Sequence, residues 1–275
     1  MPELPEVETV KRGLEPYLVG ETVVDVFVYR RQLRELISSD FEEIMRNRTV
    51  VSLQRRAKIL IIKLSGKMNI LLHLGMSGTC LYCDIGTVPA KHTHVVIRFQ
   101  AIEFHFTDPR RFGFVLSAKD EDLKMVKYLR DLGPEPLGND FSVEYLTNSL
   151  SNRGCNVKNA IMNNKIVVGV GNIYASESLF LAGIHPASKC SKISMEKLSK
   201  LVNSIRLTLA SAIESGGSSL KDHKKADGGL GYFQHNFNVY GRNGEKCCFC
   251  GGRIEKIVQS GCATYLCNEC QFFYE

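Results

Sequence analysis

The first six residues of the chain combine a proline at position 2 with two nearby carboxylates. Removal of the initiator Met1 would leave Pro2 with a free secondary amine. An α-amino group titrates at about pH 8, against about 10.4 for a lysine side chain, so a useful fraction is uncharged at neutral pH. Such an amine suits Schiff-base chemistry with an aldehyde, and Glu3 and Glu6 are close enough in sequence to move protons for it. The same residues are also typical of an ordinary helix start, with proline and acidic residues in the first turn.

The C-terminal region contains two pairs of cysteines, each pair separated by two residues: Cys247 with Cys250, and Cys267 with Cys270. This spacing around a short strand-like segment is typical of a four-cysteine zinc site on a β-hairpin. Four thiolates leave no open coordination position, so the predicted role of the single Zn2+ is structural.

Four other cysteines do not fit this pattern. Cys248 and Cys262 have the wrong spacing for the two pairs, and we interpret them as packing or free thiols. Cys80 and Cys83 have no second pair nearby, and residues three apart on a strand face opposite ways. We therefore do not expect a metal site at Cys80 and Cys83.

Two short loops in the first half place large apolar residues among turn-forming ones. Met76 lies between Gly75 and Gly78, and Phe112 follows two arginines after an Asp-Pro turn. Exposed apolar residues in loops can act as wedges that enter a stack of bases. Alternatively, both loops are ordinary β-turns whose apolar residues fold back onto the sheet. The basic run 55–58 is likewise either a solvated strand end or a phosphate contact.

In the first half of the chain, most of the elements that position these residues are predicted to be strands. Apolar residues at three- and four-residue steps predict an amphipathic helix over residues 3–18, which would hold the N-terminal amine on a rigid element. Alternating or continuous apolar runs predict strands over 24–28, 49–64 with an interruption at 54–58, 68–74, 94–99 and 102–106. A short helix is predicted over 120–132. Many short strands with few helices between them favour an antiparallel β-sandwich.

The second half is predicted to be helical. The density of proline and glycine predicts a linker at 133–140. Helices are predicted over 141–150, 158–164, 172–182 and 194–215, with Asn172 capping the third after a glycine-bearing turn. Such helix-turn-helix units bind DNA in many proteins, and free amides at a helix start can hold a phosphate. The segment 221–231 is interpreted as a mobile loop and a candidate lid.

Composition sets the class of protein. The chain has 275 residues and a formal net charge of +6, a modest basic excess that suggests an anionic partner. It lacks the basic flank and apolar run of a signal peptide and any apolar stretch long enough to span a bilayer. We expect a soluble cytoplasmic protein, in which ten cysteines are thiols or metal ligands rather than structural disulfides.

Seven motifs, in order along nearly the whole chain, give it a specific resemblance. The start of the chain closely resembles that of bacterial formamidopyrimidine-DNA glycosylase, the 8-oxoguanine DNA glycosylase family. Later segments resemble later parts of the same family: 54–58, 73–78, 107–113, 168–177, 239–242 and the four-cysteine hairpin. The resemblance implies an α+β protein with four parts: a β-sandwich catalytic domain at 1–132, the linker at 133–140, a helix-two-turn-helix domain at 141–238 and a zinc finger at 239–275.

The resemblance also implies roles for individual residues in a bacterial enzyme that binds duplex DNA as a monomer in the cytosol or nucleoid. Pro2 would attack C1′ of the damaged nucleotide, with Glu3 protonating the opening sugar and Glu6 supporting the charge. Lys58 would contact phosphate and donate a proton during β-elimination. Met76, Arg110 and Phe112 would fill the gap left by the flipped nucleotide. His92, Lys158 and Asn172 would bind the DNA backbone.

The chain departs from the family at the hairpin. An arginine five residues before the third zinc cysteine normally grips a phosphate and is assigned as proton donor for δ-elimination, but Cys262 is at that position. A thiol carries no positive charge and makes only weak hydrogen bonds. The usual basic contact before Lys158 is also altered, with Arg153 or Asn156 as its substitute. We therefore expect base removal and β-elimination to persist and δ-elimination to be slow.

The predicted function is excision of oxidised purines, 8-oxoguanine and formamidopyrimidines, followed by strand nicking, in base excision repair. One alternative is the sister family that removes oxidised pyrimidines, whose chains usually begin Met-Pro-Glu-Gly. A second alternative, from a different class, is a non-catalytic protein that binds damaged DNA.

Overall fold

The computed structural model describes residues 2–218 and 233–275. The chain divides into two compact units, Met1–Arg130 with Ser215–Tyr232, and Asp131–Glu214 with Phe233–Glu275. The predicted lid at 221–231 lies outside the described residues. In the described part of the chain, none of the helices has the length and apolar character needed to cross a membrane.

The first unit begins with helix α1 (Leu4–Leu18), as its apolar spacing predicted. Glu3 and Glu6 form a capping box that satisfies backbone amides of the first turn. The apolar stripe of α1, formed by Val7, Val10, Leu14 and Leu18, is buried in the main core of the unit. Helix α1 is therefore fixed at its N-terminus by the capping box and along its length by packing of its apolar stripe.

Among the described residues of the first unit, eight strands and one short α-helix follow α1. They are β1 (Asp25–Val28), α2 (Phe41–Met45), β2 (Val50–Arg56), β3 (Ile59–Leu64), β4 (Met68–His73), β5 (Thr79–Asp84), β6 (Thr93–Arg98), β7 (Ile102–Thr107) and β8 (Phe114–Lys119). They form two four-stranded antiparallel sheets, in the orders β1-β6-β7-β5 and β2-β3-β4-β8. Apolar residues from both sheets and from α1 share one core, so the predicted β-sandwich is confirmed.

The predicted helix over 120–132 is wrong in type and length. A 3-10 helix spans only Asp120–Met125, and the Leu129 amide likewise bonds back three residues, to the Val126 carbonyl. The segment covers the outer face of the second sheet, where Tyr128 stacks on Phe114 with ring centroids 4.3 Å apart. The apolar residues of this segment pack against that face of the sheet without forming a regular α-helix.

The second unit contains four α-helices: α3 (Val143–Leu150), α4 (Val157–Ile161), α5 (Asn172–Ala182) and α6 (Met195–Glu214). Ser142 caps α3 and Asn156 caps α4 through side-chain oxygens that accept backbone amides. The prediction that Asn172 caps α5 is wrong, because Gly171 occupies the cap and Asn172 is the first helical residue. The amide side chain of Asn172 is thereby released for contacts outside its own helix.

The chain ends in an antiparallel hairpin of β9 (Ile254–Gln259) and β10 (Cys262–Cys267). Helix α5 is attached to the segment before this hairpin through Glu177, which is buried. Its carboxylate accepts the backbone amides of Asn238, Val239 and Tyr240 at 2.8–2.9 Å. The helices and the hairpin are thus parts of the same unit.

Candidate active site and nucleic-acid interface

Both acidic residues near Pro2 are held by hydrogen bonds, and Pro2, Glu3 and Glu6 are all buried. The backbone N–H of Glu3 donates to Glu6 Oε2 at 2.7 Å, while the Glu3 side chain accepts from the backbone of Glu6. The other oxygen of Glu6 accepts from both the amide and the hydroxyl of Ser218 at 2.9 Å. Both carboxylates, one and four residues after Pro2 in sequence, are therefore held in place mainly by backbone amides.

The turn between β2 and β3 presents Lys58 and is braced against α1. Ala57, before Lys58, has a left-handed φ of 55°, which is uncommon for a residue with a side chain. Arg55 donates to the Ala57 carbonyl at 3.0 Å and to Glu8 of α1 at 2.9 Å. Burial acts to raise the pKa of Glu8, but the positive groups of Arg55, Arg12 and Lys11 together outweigh it and hold that pKa below its ordinary value. Arg55 thus ties the turn carrying Lys58 to the helix that begins beside Pro2.

His73, at the end of β4, lines the same pocket as Met76 and Phe112 and was not predicted from the sequence as a candidate site residue. Burial lowers its pKa to about 4, and the positive charges of Arg34 and Lys58 act in the same direction. Its Nδ1 accepts the Gly75 amide at 2.9 Å, which leaves the proton of the neutral ring on Nε2. The only sequence signal was its position immediately before the loop that carries Met76.

Asp108 organises the two loops that carry Met76, Arg110 and Phe112. Its carboxylate accepts the Ser77 hydroxyl at 2.9 Å, the Arg110 amide at 3.2 Å and the Gly113 amide at 2.8 Å. A Cβ atom on Gly75 would lie 2.4 Å from the backbone nitrogen of Gly113, so only glycine permits this approach. The two loops are consequently fixed to one another.

The side chains at the tips of these loops point into solvent rather than back onto the sheet. Met76 is 37% exposed and Phe112 is 46% exposed, and the Arg110 guanidinium lies 4.8 Å from the Phe112 ring centre. Met76 and Phe112 line a pocket of about 270 Å³ with Arg34, His73 and Gly75. This arrangement favours the wedge interpretation over ordinary folded-back turns.

His92 lies near the base of the same loops. It is exposed, has a φ of 71°, and its carbonyl accepts the Asp108 amide at 3.1 Å. Its imidazole is therefore held at the surface of the first unit by a tightly fixed backbone.

The second unit has its own polar centre around Lys158, which is 1% exposed. Lys158 Nζ donates to Asn172 Oδ1 and to Thr264 Oγ1, each at 2.6 Å. The Asn172 amide group donates to the Ala263 carbonyl at 2.9 Å. Three elements therefore meet here: α4, the start of α5 and the hairpin strand that begins at Cys262.

The two predicted substitutes for a basic contact differ in environment. Arg153 is exposed, and its Nε donates to the Ser149 carbonyl at 2.7 Å. The Asn156 side chain is occupied as the cap of α4, where its oxygen accepts the Asn159 amide at 2.8 Å. Arg153 is therefore the better candidate for an ionic contact with an anion.

The four predicted zinc ligands are brought together. The sulfur atoms of Cys247, Cys250, Cys267 and Cys270 all lie within 4.8 Å of one another. The Cys247–Cys270 and Cys250–Cys267 sulfur separations are 3.8 and 3.5 Å, close to the roughly 3.8 Å expected between thiolates on a tetrahedral zinc. Burial acts to raise the pKa of Cys247, but the amides of Cys250 and Phe249, together with the neighbouring Cys250 and Cys267 sulfurs, outweigh it and lower that pKa to about 7.

Comparison with known proteins gives full-length similarity. Two family models match: the formamidopyrimidine-DNA glycosylase N-terminal domain at residues 1–115, and the formamidopyrimidine-DNA glycosylase H2TH domain at residues 132–224. The formamidopyrimidine-DNA glycosylase of Roseobacter denitrificans is 44% identical over 98% of this chain and 100% of its own length.

Solved structures agree with the sequence comparison. A Lactococcus lactis Fpg mutant in complex with a Fapy-dG containing DNA superposes with a TM-score of 0.92, at 30% identity. The complex of Lactococcus lactis Fpg with an abasic site containing DNA gives a TM-score of 0.91, also at 30% identity. Each match covers 98% of this chain and 99% of the other.

Proposed function

The chain belongs to the formamidopyrimidine-DNA glycosylase family, a family of DNA repair glycosylases with AP lyase activity, and from this premise we propose that it excises oxidised purines from duplex DNA and nicks the strand. The proposed bases are 8-oxoguanine and formamidopyrimidines. The observation that carries the proposal is the pair of backbone-fixed carboxylates beside Pro2, with Glu3 N–H 2.7 Å from Glu6 Oε2. The proposed setting is the bacterial cytosol or nucleoid, with the enzyme acting as a monomer.

Pro2 is the proposed nucleophile once Met1 is removed. Its nitrogen attacks C1′ of the damaged nucleotide, the glycosidic bond breaks, and the base leaves with the bonding electron pair. Glu3 donates a proton to the ring oxygen as the sugar opens to a Schiff base with Pro2. Glu6, whose two oxygens already accept three hydrogen bonds, stabilises the cationic imine without moving.

Lys58 is proposed to act in the second step. The Schiff base makes the C2′ proton acidic, and its loss expels the 3′ phosphate by β-elimination. The Lys58 ammonium contacts that phosphate and donates the proton it needs to leave. His73 lies close enough to be affected by the Lys58 charge, and it is neutral above about pH 4 with a donor at Nε2. We assign it a hydrogen bond to a neighbouring phosphate oxygen.

Met76, Arg110 and Phe112 are proposed to fill the gap left when the damaged nucleotide leaves the stack. Flipping a base costs a few kcal/mol of lost stacking, which inserted side chains offset. Arg110 would face the orphaned cytosine, and Phe112 would wedge beside it. Their exposure and their rigid loops support this role.

The DNA backbone is proposed to bind His92 in the first unit and Arg153, Lys158 and Asn172 in the second. At the start of α5, the positive end of the helix dipole favours a phosphate. Lys158 is buried directly against Asn172, so its charge strengthens this site.

A structural Zn2+ is proposed in the four-cysteine cluster. The donor set fits zinc because four soft thiolates at tetrahedral spacing leave no position for substrate. The metal would fold the hairpin that carries Thr264 and Cys262, and it would take no part in the chemistry.

Borohydride trapping on a duplex containing 8-oxoguanine opposite cytosine tests the proposal directly. The wild-type protein should become covalently attached to DNA, Pro2→Gly should sharply reduce trapping, and an N-terminal extension should abolish it. Full trapping by the extended protein would show that another amine is the nucleophile. Absence of trapping with retained binding would identify a non-catalytic damage binder, and faster excision of thymine glycol would favour the oxidised-pyrimidine alternative.

A further inference from the structure

Two cysteines outside the zinc cluster lie side by side in the second unit. The sulfur atoms of Cys155 and Cys190 are 3.9 Å apart, although the residues are 35 positions apart in sequence. Cys155 is exposed, whereas Cys190 is buried. Neither residue takes part in the mechanism proposed above.

The backbone around the two cysteines is held in an antiparallel arrangement. Asn156 and Lys189 form an antiparallel bridge, and the Cys190 amide donates to the Cys155 carbonyl at 3.1 Å. Cys155 and Cys190 are therefore directly opposite one another. Such hydrogen-bonded pairs have Cα atoms about 5.5 Å apart, within the range of roughly 4.4–6.8 Å that disulfides span.

The two thiols differ in reactivity. Burial raises the pKa of Cys190 to about 12, and the nearby Cys155 sulfur acts in the same direction. Exposed Cys155 is thus the thiol that meets a reagent first. Once Cys155 is part of a mixed disulfide it carries no charge, which removes one of the causes that hold the Cys190 thiol protonated.

We propose that Cys155 and Cys190 form a reversible modification site that reacts with low-molecular-weight disulfides and closes to an intramolecular disulfide. The Cys155 thiolate attacks one sulfur of the reagent, forming a mixed disulfide and releasing one reagent thiolate. The Cys190 thiolate then attacks the Cys155 sulfur, forming the protein disulfide and releasing the second reagent thiolate. Two protein thiols are oxidised and the reagent disulfide is reduced to two thiols, so no other oxidant is needed.

Closure would affect a defined part of the unit. Cys155 immediately precedes Asn156, the cap of α4, and Cys190 begins the 3-10 helix Cys190–Lys192 that leads to α6. The Arg153 carbonyl already accepts the Ser191 amide at 3.2 Å. A covalent link would therefore fix the segment 153–156 to the start of α6 with little rearrangement of the backbone.

The test uses the full-length zinc-loaded protein treated with oxidised glutathione, with bound zinc measured in parallel. After alkylation and digestion without reduction, mass spectrometry should find a linked peptide containing Cys155 and Cys190, which dithiothreitol separates. The oxidised protein should unfold at a temperature higher by roughly 5–10 °C, because the link constrains the unfolded chain. Cys155→Ser should abolish both the link and the shift.

Two further variants sharpen the result. Cys190→Ser should stop the reaction at a glutathione adduct on Cys155, whereas Cys248→Ser, which removes an exposed cysteine elsewhere, should leave the link unchanged. A stable glutathione adduct on wild-type Cys155 without a linked peptide would overturn the proposal. The proposal would also be overturned if the link formed only when zinc was released, because oxidation would then begin at the hairpin cysteines and not at Cys155.

Discussion

Lys158 Nζ lies 2.6 Å from Thr264 Oγ1, and this contact joins helix α4 to the terminal hairpin. The same ammonium group donates to Asn172 at the start of α5. A buried ammonium is stable only when its protons have acceptors. The proposed phosphate site at α5 thus depends on the hairpin, and through the hairpin on the four cysteines.

Thr264→Val should expose that dependence. Valine has nearly the same shape as threonine but cannot accept the Lys158 proton, so we expect a loss of about 1.5–3 kcal/mol in the free energy of unfolding. Binding to abasic-site DNA should weaken in parallel, measured by fluorescence anisotropy. Thr264→Ser keeps the hydroxyl and should retain most of both properties. Equal stability of the valine variant and wild type would show that the contact contributes nothing.

Arg55→Met should show whether Arg55 braces the turn that carries Lys58 or acts only as a surface charge. It leaves Glu8 without its principal partner and releases the left-handed Ala57 turn, so we expect about 1–3 kcal/mol of lost stability and slower β-elimination. Arg12, 60% exposed and also paired with Glu8, is the matched control. Arg12→Met should change stability by less than about 1 kcal/mol. Similar effects of the two substitutions would contradict the bracing role.

The ion pair between Glu8 and Arg55 should also make the stability of the protein depend on pH. The folded-state pKa of Glu8 is below its unfolded value, so its contribution is present above the unfolded pKa and is lost as pH falls through the folded pKa. The stability difference between wild type and Arg55→Met should therefore be largest near neutral pH and shrink below about pH 4. Urea unfolding at a series of pH values measures this difference. A difference that grows on acidification would have the wrong sign.

His73 should make the protein sensitive to acid over a different interval. Its folded-state pKa is about 4, below the ordinary 6.5, so the unfolded chain takes up a proton first as pH falls. Stability should decline between pH 6.5 and pH 4, by an amount on the order of 3 kcal/mol. His73→Asn keeps an acceptor for the Gly75 amide without titrating, and it should remove this part of the pH slope. An unchanged slope would place the titration elsewhere.

Cys250→Ser should lose both zinc and DNA binding, whereas Cys248→Ser should retain both. Metal analysis of the wild type should give about one zinc per chain, with sulfur ligands at about 2.3 Å by X-ray absorption. The two cysteines are close in sequence, yet only Cys250 belongs to the four-sulfur cluster. Full zinc occupancy in Cys250→Ser would mean that the ligand set is misassigned.

Cys262→Arg should tighten DNA binding and change the product. Restoring a charge-assisted phosphate contact of about 1.5–3 kcal/mol should strengthen binding by a factor on the order of 10–100, with a steeper salt dependence. Wild type should accumulate a 3′ unsaturated aldehyde after β-elimination, and the variant should yield more of the one-nucleotide gap. Gel analysis of cleaved 8-oxoguanine duplex distinguishes these products. If wild type already gives mostly the gap, Arg253 or Lys256 becomes the candidate donor.

Local sequence patterns predicted most elements because their causes are local. The apolar spacing of α1, the glycine before Asn172 and Gly183 after Ala182 set helix limits without help from distant residues. The strands β5 and β8 were not predicted. Polar residues interrupt the apolar pattern in β5, and β8 directly follows the loop around Arg110 and Phe112. Their pairing with β7 and β4 identifies them only in three dimensions.

The candidate site was predicted as a set of residues rather than as an arrangement. Contacts between residues distant in sequence were not predictable: the charge of Arg34 acts on His73, and Lys158, itself a predicted residue, donates to Thr264. The exposure of Met76 was left open by the sequence, because it depends on how its loop packs against the loop that carries Gly113. The four cysteines could be predicted as a group, since their spacing alone implies that they bind one metal ion.

The bonds from Ser218 to Glu6 join residues that are 212 positions apart in the chain. During synthesis, the start of α1 emerges from the ribosome first, but its carboxylate acquires these partners only after most of the chain has been made. Contacts of such long sequence separation form slowly because a large loop must close. Assembly of the hydrogen bonds around Glu6 is therefore a late event, so that an incomplete chain would carry the proposed nucleophile Pro2 without its finished surroundings.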